Sequence, residues 1–212
     1  MTIQKEIQKT KHAMAARREN HEQWPALATR VAEHFSKIAL RAIDENYPEN
    51  LYVHRDDSER LIQLFSGVHP IDVTHKRDQY GNKKELKVHT EDGAALVVSQ
   101  STVGHPAIIL YPYKSEKLRQ KNSHIIWKIF DGPEAITSKV LNDATKDFFT
   151  YMRVSSAVLA ESRFDRLRIS YLEFRARKFS DEGGIAKLFF SHWLWVALGA
   201  VGSVASIYSL WR

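Results

Sequence analysis

His54, Asp56 and Asp57, with His69 and His75 downstream, are the residues whose types come nearest to a metal site, since imidazole nitrogen and carboxylate oxygen suit zinc or manganese. Their spacing forms no HExxH or equivalent ligand pattern, and ten histidines in 212 residues produce such groupings by accident. The expectation is no metal and no cofactor, with these side chains on a solvated surface. The second chemical candidate is a basic loop. Lys114, Lys117, Arg119 and Lys121 stand against Glu116 alone, and Tyr111 and Tyr113 lead into them. Cations hold phosphates and rings stack on bases, so these six residues form a candidate ligand site for a nucleotide or nucleic acid. A solvated hairpin loop, or one facing anionic lipid headgroups, would carry the same residues.

Arg119 and His124 resemble in spacing the Arg, four residues, His pair of the HEPN family of ribonucleases, where a helical bundle carries the pair. Here it falls on a loop running into a strand, which is the wrong context. Ser99, Ser101, Ser155 and Ser156 lack a GxSxG elbow, and Gly93 and Gly104 lack a GxGxxG or Walker surround. The absence of cysteine excludes disulfides, thiolate zinc sites and cysteine nucleophiles together. No catalytic residue is therefore assigned. A net charge of +6 and a pI near 9.4 favour acidic partners without choosing among them.

The strongest pattern is not chemical. From Leu188 to Trp211 there is no Asp, Glu, Lys or Arg, and Lys187 and Arg212 close the ends. At ~1.5 Å per residue this run would span about 36 Å as a helix, enough for a hydrocarbon core of about 30 Å with some tilt. Phe189, Phe190, Trp193 and Trp195 lie near one end, and Tyr208 and Trp211 near the other, as interfacial rings do. The approach carries Arg163, Arg166, Arg168, Arg175, Arg177, Lys178 and Lys187 against Arg212 beyond it. The positive-inside tendency then predicts a single-pass protein with its N-terminal domain in the cytoplasm, as in a bacterial inner membrane. No apolar run near Met1 is long enough for a secretory signal. Within the span, Gly199 and Ser203, and again Gly202 and Ser206, place small residues four apart. Such spacing lets two helix backbones approach, which suits either a homo-oligomer or a passive anchor.

The elements that must position these residues follow from periodicity. Residues 1–23 are polar. Trp24, Leu27, Val31, Phe35, Ile38 and Ala42 step by three and four, which predicts a helix over 24–45 with Pro25 in its first turn. The run 60–66 is short and apolar, either strand or helical turn, and 76–84 reads as a loop. Residues 85–90, 94–101, 107–113 and 124–131 read as strands joined by short turns, an antiparallel meander of about four. Over 137–179 the spacing turns helical, with a break expected near 161–164.

The expected fold class is α+β: an N-terminal helix, an antiparallel sheet of four to five strands, a long helical segment and one C-terminal transmembrane helix. Residues 24–182 form the cytosolic domain, 183–187 a joint around Gly183 and Gly184, and 188–211 the membrane helix. The function this predicts is a membrane-anchored, non-enzymatic protein whose domain binds a ligand or protein partner and whose anchor assembles. Membrane disruption by a stress or antiviral effector would use such an architecture. The alternatives are an anchored nuclease and an adaptor that recruits nucleic acid or protein to the bilayer.

Overall fold

The computed structural model describes residues 3–77, 83–115 and 122–182. The chain divides into two compact units, 1–173 and 174–212, and the fold below is that of the first. Its order is α1 (Ile3–Asp44), β1 (Leu51–Asp56), β2 (Leu61–Ser66), β3 (His69–Arg77), β4 (Lys83–Asp92), β5 (Ala95–Gln100), β6 (Pro106–Tyr111), β7 (Lys114–Ser115), β8 (Ile125–Ile129), a 3-10 turn (Pro133–Ala135), α2 (Ser138–Ser155) and α3 (Arg163–Glu182). The class is α+β, with a five-stranded antiparallel sheet ordered β1-β2-β5-β6-β8 and a three-stranded sheet ordered β3-β4-β7.

The first helix starts about twenty residues earlier than the apolar stripe indicates. Residues 3–19 are exposed throughout and carry no core signal, but they are rich in Gln, Lys, Glu, Ala and Arg, which favour a helix without tertiary help. Pro25 accordingly lies inside α1 rather than at its first turn. It removes the N–H that would have reached the carbonyl of His21. From Asn20 onward the helix is anchored: Trp24, Leu27, Ala28, Val31 and Phe35 are buried, and this part packs on β1 and β2.

The meander is corrected by the pairing. Residues 85–90 do not form a hairpin with 94–101. Instead β2 pairs with β5 (Leu61 opposite Ser99, Phe65 opposite Ala95) and β3 pairs with β4 (His69 opposite Glu91, Arg77 opposite Lys83). Residues 61–77 and 83–100 are thus the two arms of one long hairpin, interrupted where Gly67 and Gly93 lie. A Cβ on Gly93 would stand 1.8 Å from the carbonyl oxygen of Ser66, so only glycine lets the arms come this close. The amide of Ser66 donates to Ala94 O across the same joint, 3.0 Å away. The continuous apolar runs of β5 and β6 predict burial on both faces, and Leu96, Val97, Val98, Ile108, Ile109 and Leu110 are indeed buried.

The long helical segment breaks earlier than expected, at 156–162. Thr137 caps α2 by accepting from the amide of Val140, and Ser162 and Asp165 form a reciprocal capping box that starts α3. No helix among the described residues is long and apolar enough to cross a membrane. The run 188–211, including Gly199, Gly202, Ser203 and Ser206, and the joint 183–187 lie outside the described residues.

Candidate functional site: a basic cleft beside a buried Glu-His-Glu chain

The hairpin joint gathers two buried carboxylates around one imidazole. His69 opens β3, and its ring nitrogens face two carboxylates: Nδ1 is 3.1 Å from Glu49 Oε2, and Nε2 is 3.1 Å from Glu91 Oε2. Carboxylate oxygens only accept, so both contacts are hydrogen bonds at once only when the ring carries two N–H groups. Glu91 is fully buried and also accepts from Ser156 Oγ at 2.8 Å and from the amide of Ala157 at 3.0 Å. One carboxylate therefore ties β3, β4 and the α2–α3 connection together. The ring of Tyr113 meets His69 edge-on at 5.3 Å, and its amide donates to Ser155 Oγ at 3.1 Å. Burial holds the Tyr113 phenol far above its usual range. Each ring nitrogen has its own acid, so the chain is a set of internal links rather than a pocket for an ion.

On the other side of the joint, β4 and β7 border a cleft of about 340 Å³ lined by Lys87, Val88, His89, Thr90, Asp92, Lys114 and Ser115. Lys87 and His89 are two apart on β4 and so share a face, while β7 brings Lys114 opposite Asp92, on the other face, so the cleft is lined from both faces of β4. His89 is positioned by Thr74, whose Oγ1 is 3.0 Å from its Nε2. Next to the cleft, the His124 ring meets that of Tyr111 at 5.7 Å, tilted by 37°. Burial, and secondarily Lys114, lower the His124 pKa. Two lysines, a histidine and one aspartate thus line the cleft. Its size is that of a site for a small ligand.

Of the six residues singled out in the sequence, Lys114 is exposed at this cleft and Tyr111 is half-buried against His124. Tyr113 is buried beside His69, not available for stacking on a ligand. Lys117, Arg119 and Lys121 lie outside the described residues. Lys87 and His89 were missed because they sit on a strand that sequence alone aligned with the wrong neighbour.

Among the described residues, those suited to a metal are engaged elsewhere or stand apart. Asp56 accepts from the amides of Ser58 and Glu59 and from Ser58 Oγ, which closes the β1–β2 turn and lowers its pKa. Asp57 pairs with Arg55 at 2.6 Å. His54 is exposed in mid-strand, and His69 is engaged by Glu49 and Glu91. Among the described residues no group of three or more His, Asp or Glu is placed to hold a metal ion.

A further polar cluster joins α1 to the sheet. Arg60 donates to His21 Nδ1, which leaves Nε2 to donate to the carbonyl of Thr102 at 3.3 Å. Gln100 donates to the carbonyls of Asn20 and Gly104, and Asn20 donates to that of Asp131. These bonds fix where α1 sits. No family model matches the chain, and neither does any curated protein or solved structure.

Proposed function

We propose that this protein is a membrane-anchored binding protein whose α+β domain takes a phosphate-bearing ligand at the β4–β7 cleft. The observation that carries this reading is a cleft whose lining includes Lys87, His89 and Lys114, beside the ring contact of Tyr111 with His124. Ammonium groups supply charge for phosphate, and the neighbouring rings supply a face for a base or sugar. In sequence, Lys117, Arg119 and Lys121 follow Ser115. Binding rather than turnover is favoured because the carboxylates a nuclease would use are engaged in the β1–β2 turn and at the hairpin joint.

In this reading residues 188–211 cross the bilayer with the domain on the cytoplasmic side. Gly199, Gly202, Ser203 and Ser206 pack one copy against another, and ligand binding would act through that assembly, as in a membrane-disrupting stress or antiviral effector. The test uses the full chain in nanodiscs, titrated with ATP and with a short single-stranded oligoribonucleotide. The double variant K87E/K114E should bind at least ~10-fold more weakly, since two charge-assisted contacts are lost. Equal affinity of the variant and the parent chain would sink the reading. Cleavage of the oligonucleotide would instead favour the anchored nuclease.

A further inference from the structure

Helix α3 has two apolar faces. Ile169 and Leu172 are buried, and the helix is held in place by two ion pairs to α2: Arg168 grips Asp147 through Nε and Nη2, both at 2.8 Å, and Arg153 grips Asp165 at 2.8 and 3.1 Å. Asp147 also accepts from Trp127 Nε1 at 2.7 Å, so this side of α3 is tied through α2 to β8. At about 100° per residue, Phe164, Leu167 and Tyr171 fall within about 60° of arc on roughly the opposite side. They are 82%, 67% and 53% exposed. Single exposed apolar side chains need no explanation, but a stripe of this size in successive turns does.

The charges on the helix fit one kind of occupant. In 163–177 five arginines stand against Asp165 and Glu173; Arg153 takes Asp165, while Arg168 is held by Asp147 and Arg166 by Glu161, and Arg163 and Arg177 are exposed. Rings and a leucine on one face with arginines beside them describe a helix that lies in the boundary of an anionic bilayer. α3 ends at Glu182, and the uncharged run begins at Leu188. A second copy of the chain would not call for an excess of arginine along the contact.

We infer that the Phe164–Leu167–Tyr171 face of α3 is an interfacial membrane-docking surface that lays the domain on anionic lipid. This rests on the reading of 188–211 as a membrane span. The chain has no cysteine, so single-cysteine probes report one position each. Leu167→Cys, and Ser58→Cys on the exposed β1–β2 turn as control, are labelled with an environment-sensitive fluorophore. The full chain is then placed in vesicles of phosphatidylethanolamine and phosphatidylglycerol. A nitroxide carried on the lipid should quench the Leu167 label several-fold more than the Ser58 label, with iodide in the water showing the reverse. R163E should shift the Leu167 label toward iodide. If the chain floats with vesicles through alkaline carbonate but both labels are equally open to iodide, the docking face is wrong and the anchor stands. If the Leu167 label is shielded from both quenchers and the unlabelled cysteine cross-links between copies, the face is a contact between copies and the inference is overturned. If the chain does not float, the anchor and the docking face both fall.

Discussion

Nε2 of His69 lies 3.1 Å from Oε2 of Glu91, a carboxylate with 1% of its side chain exposed, at the point where one long hairpin changes sheets. With Glu49 on the opposite ring nitrogen, the imidazole separates two acids that would otherwise face each other in a poorly solvated joint. Removing it takes one hydrogen-bond partner from each acid. His69→Ala should lower the unfolding free energy by about 1–3 kcal/mol, the range for leaving a buried polar group short of a partner. Adding Glu91→Gln should recover part of that loss by neutralising one acid. Pulse proteolysis in urea on the parent, single and double variants measures both. Additive losses would show that the three groups do not act as a chain.

The backbone of Arg60 has φ +50°, in the left-handed region that glycine or asparagine usually occupies at the end of a four-residue hairpin loop. The guanidinium reaches His21 and so compensates for that conformation through the bond to α1. Arg60→Ala loses the bond and keeps the strain, whereas Arg60→Gly loses the bond and releases the strain. Glycine should therefore be the milder change, by about 1 kcal/mol in urea unfolding. An alanine variant as stable as the glycine variant would remove the backbone argument.

Much of this was legible in the sequence where a single periodicity governs a segment. The stripe from Trp24 to Phe35 marked the buried part of α1, and the apolar runs of β5 and β6 marked central strands. What periodicity does not encode is partner choice. The Asp92–Gly93 pair reads as a hairpin turn, yet Gly93 is there because Ser66 O approaches from the other arm. That error in pairing concealed the cleft, since Lys87 and His89 gain meaning only once β4 is placed between β3 and β7. The N-terminal half of α1 was illegible for the opposite reason: it is helical by local preference alone, with nothing packed on it to leave a pattern. Tyrosine beside lysines suits a ligand and so points to Tyr113 as a surface ring, but residue type does not reveal which way the chain faces after a strand.

Burial and the nearby Lys37 lower the pKa of His34, and burial and the nearby Lys114 lower that of His124. Both therefore bind a proton more readily in the unfolded chain. The sign follows: their contribution is present in full above the ordinary histidine value of about 6.5 and is lost as pH falls through the lowered folded values. Thermal unfolding should show a midpoint that drops from pH 7.5 to pH 5.5, and His34→Gln and His124→Gln should each flatten that slope. The depressed acids Asp56, Glu161 and Asp165 act in a separate window, below about pH 4, where their stabilisation is lost as protons bind. A slope between pH 7.5 and 5.5 that survives both histidine changes would assign it to other groups.

Ligand affinity at the cleft should carry an electrostatic signature. If Lys87 and Lys114 each neutralise a phosphate of a bound single strand, a plot of log affinity against log salt should lose about 0.7 of slope for each lysine changed to glutamine. The two changes should add, because each removes its own counterion release. A slope that does not move with either substitution would place the contacts elsewhere, with the 117–121 lysines and arginine the next to neutralise.

The small residues of the C-terminal run make a prediction independent of the cleft. Close approach of two helices requires that Gly199, Gly202 and Ser203 present no bulk, whereas insertion depends on apolarity and length, which bulkier apolar residues preserve or increase. G199L, G202L and S203I together should therefore leave flotation with vesicles intact while lowering self-association, read by energy transfer between labelled copies, at least ~10-fold, or by about 1.4 kcal/mol. Dye leakage from the same vesicles should fall with it if assembly is what permeabilises the bilayer. Unchanged energy transfer would make the run a passive tether, and leakage that persists after assembly is lost would separate disruption from helix packing.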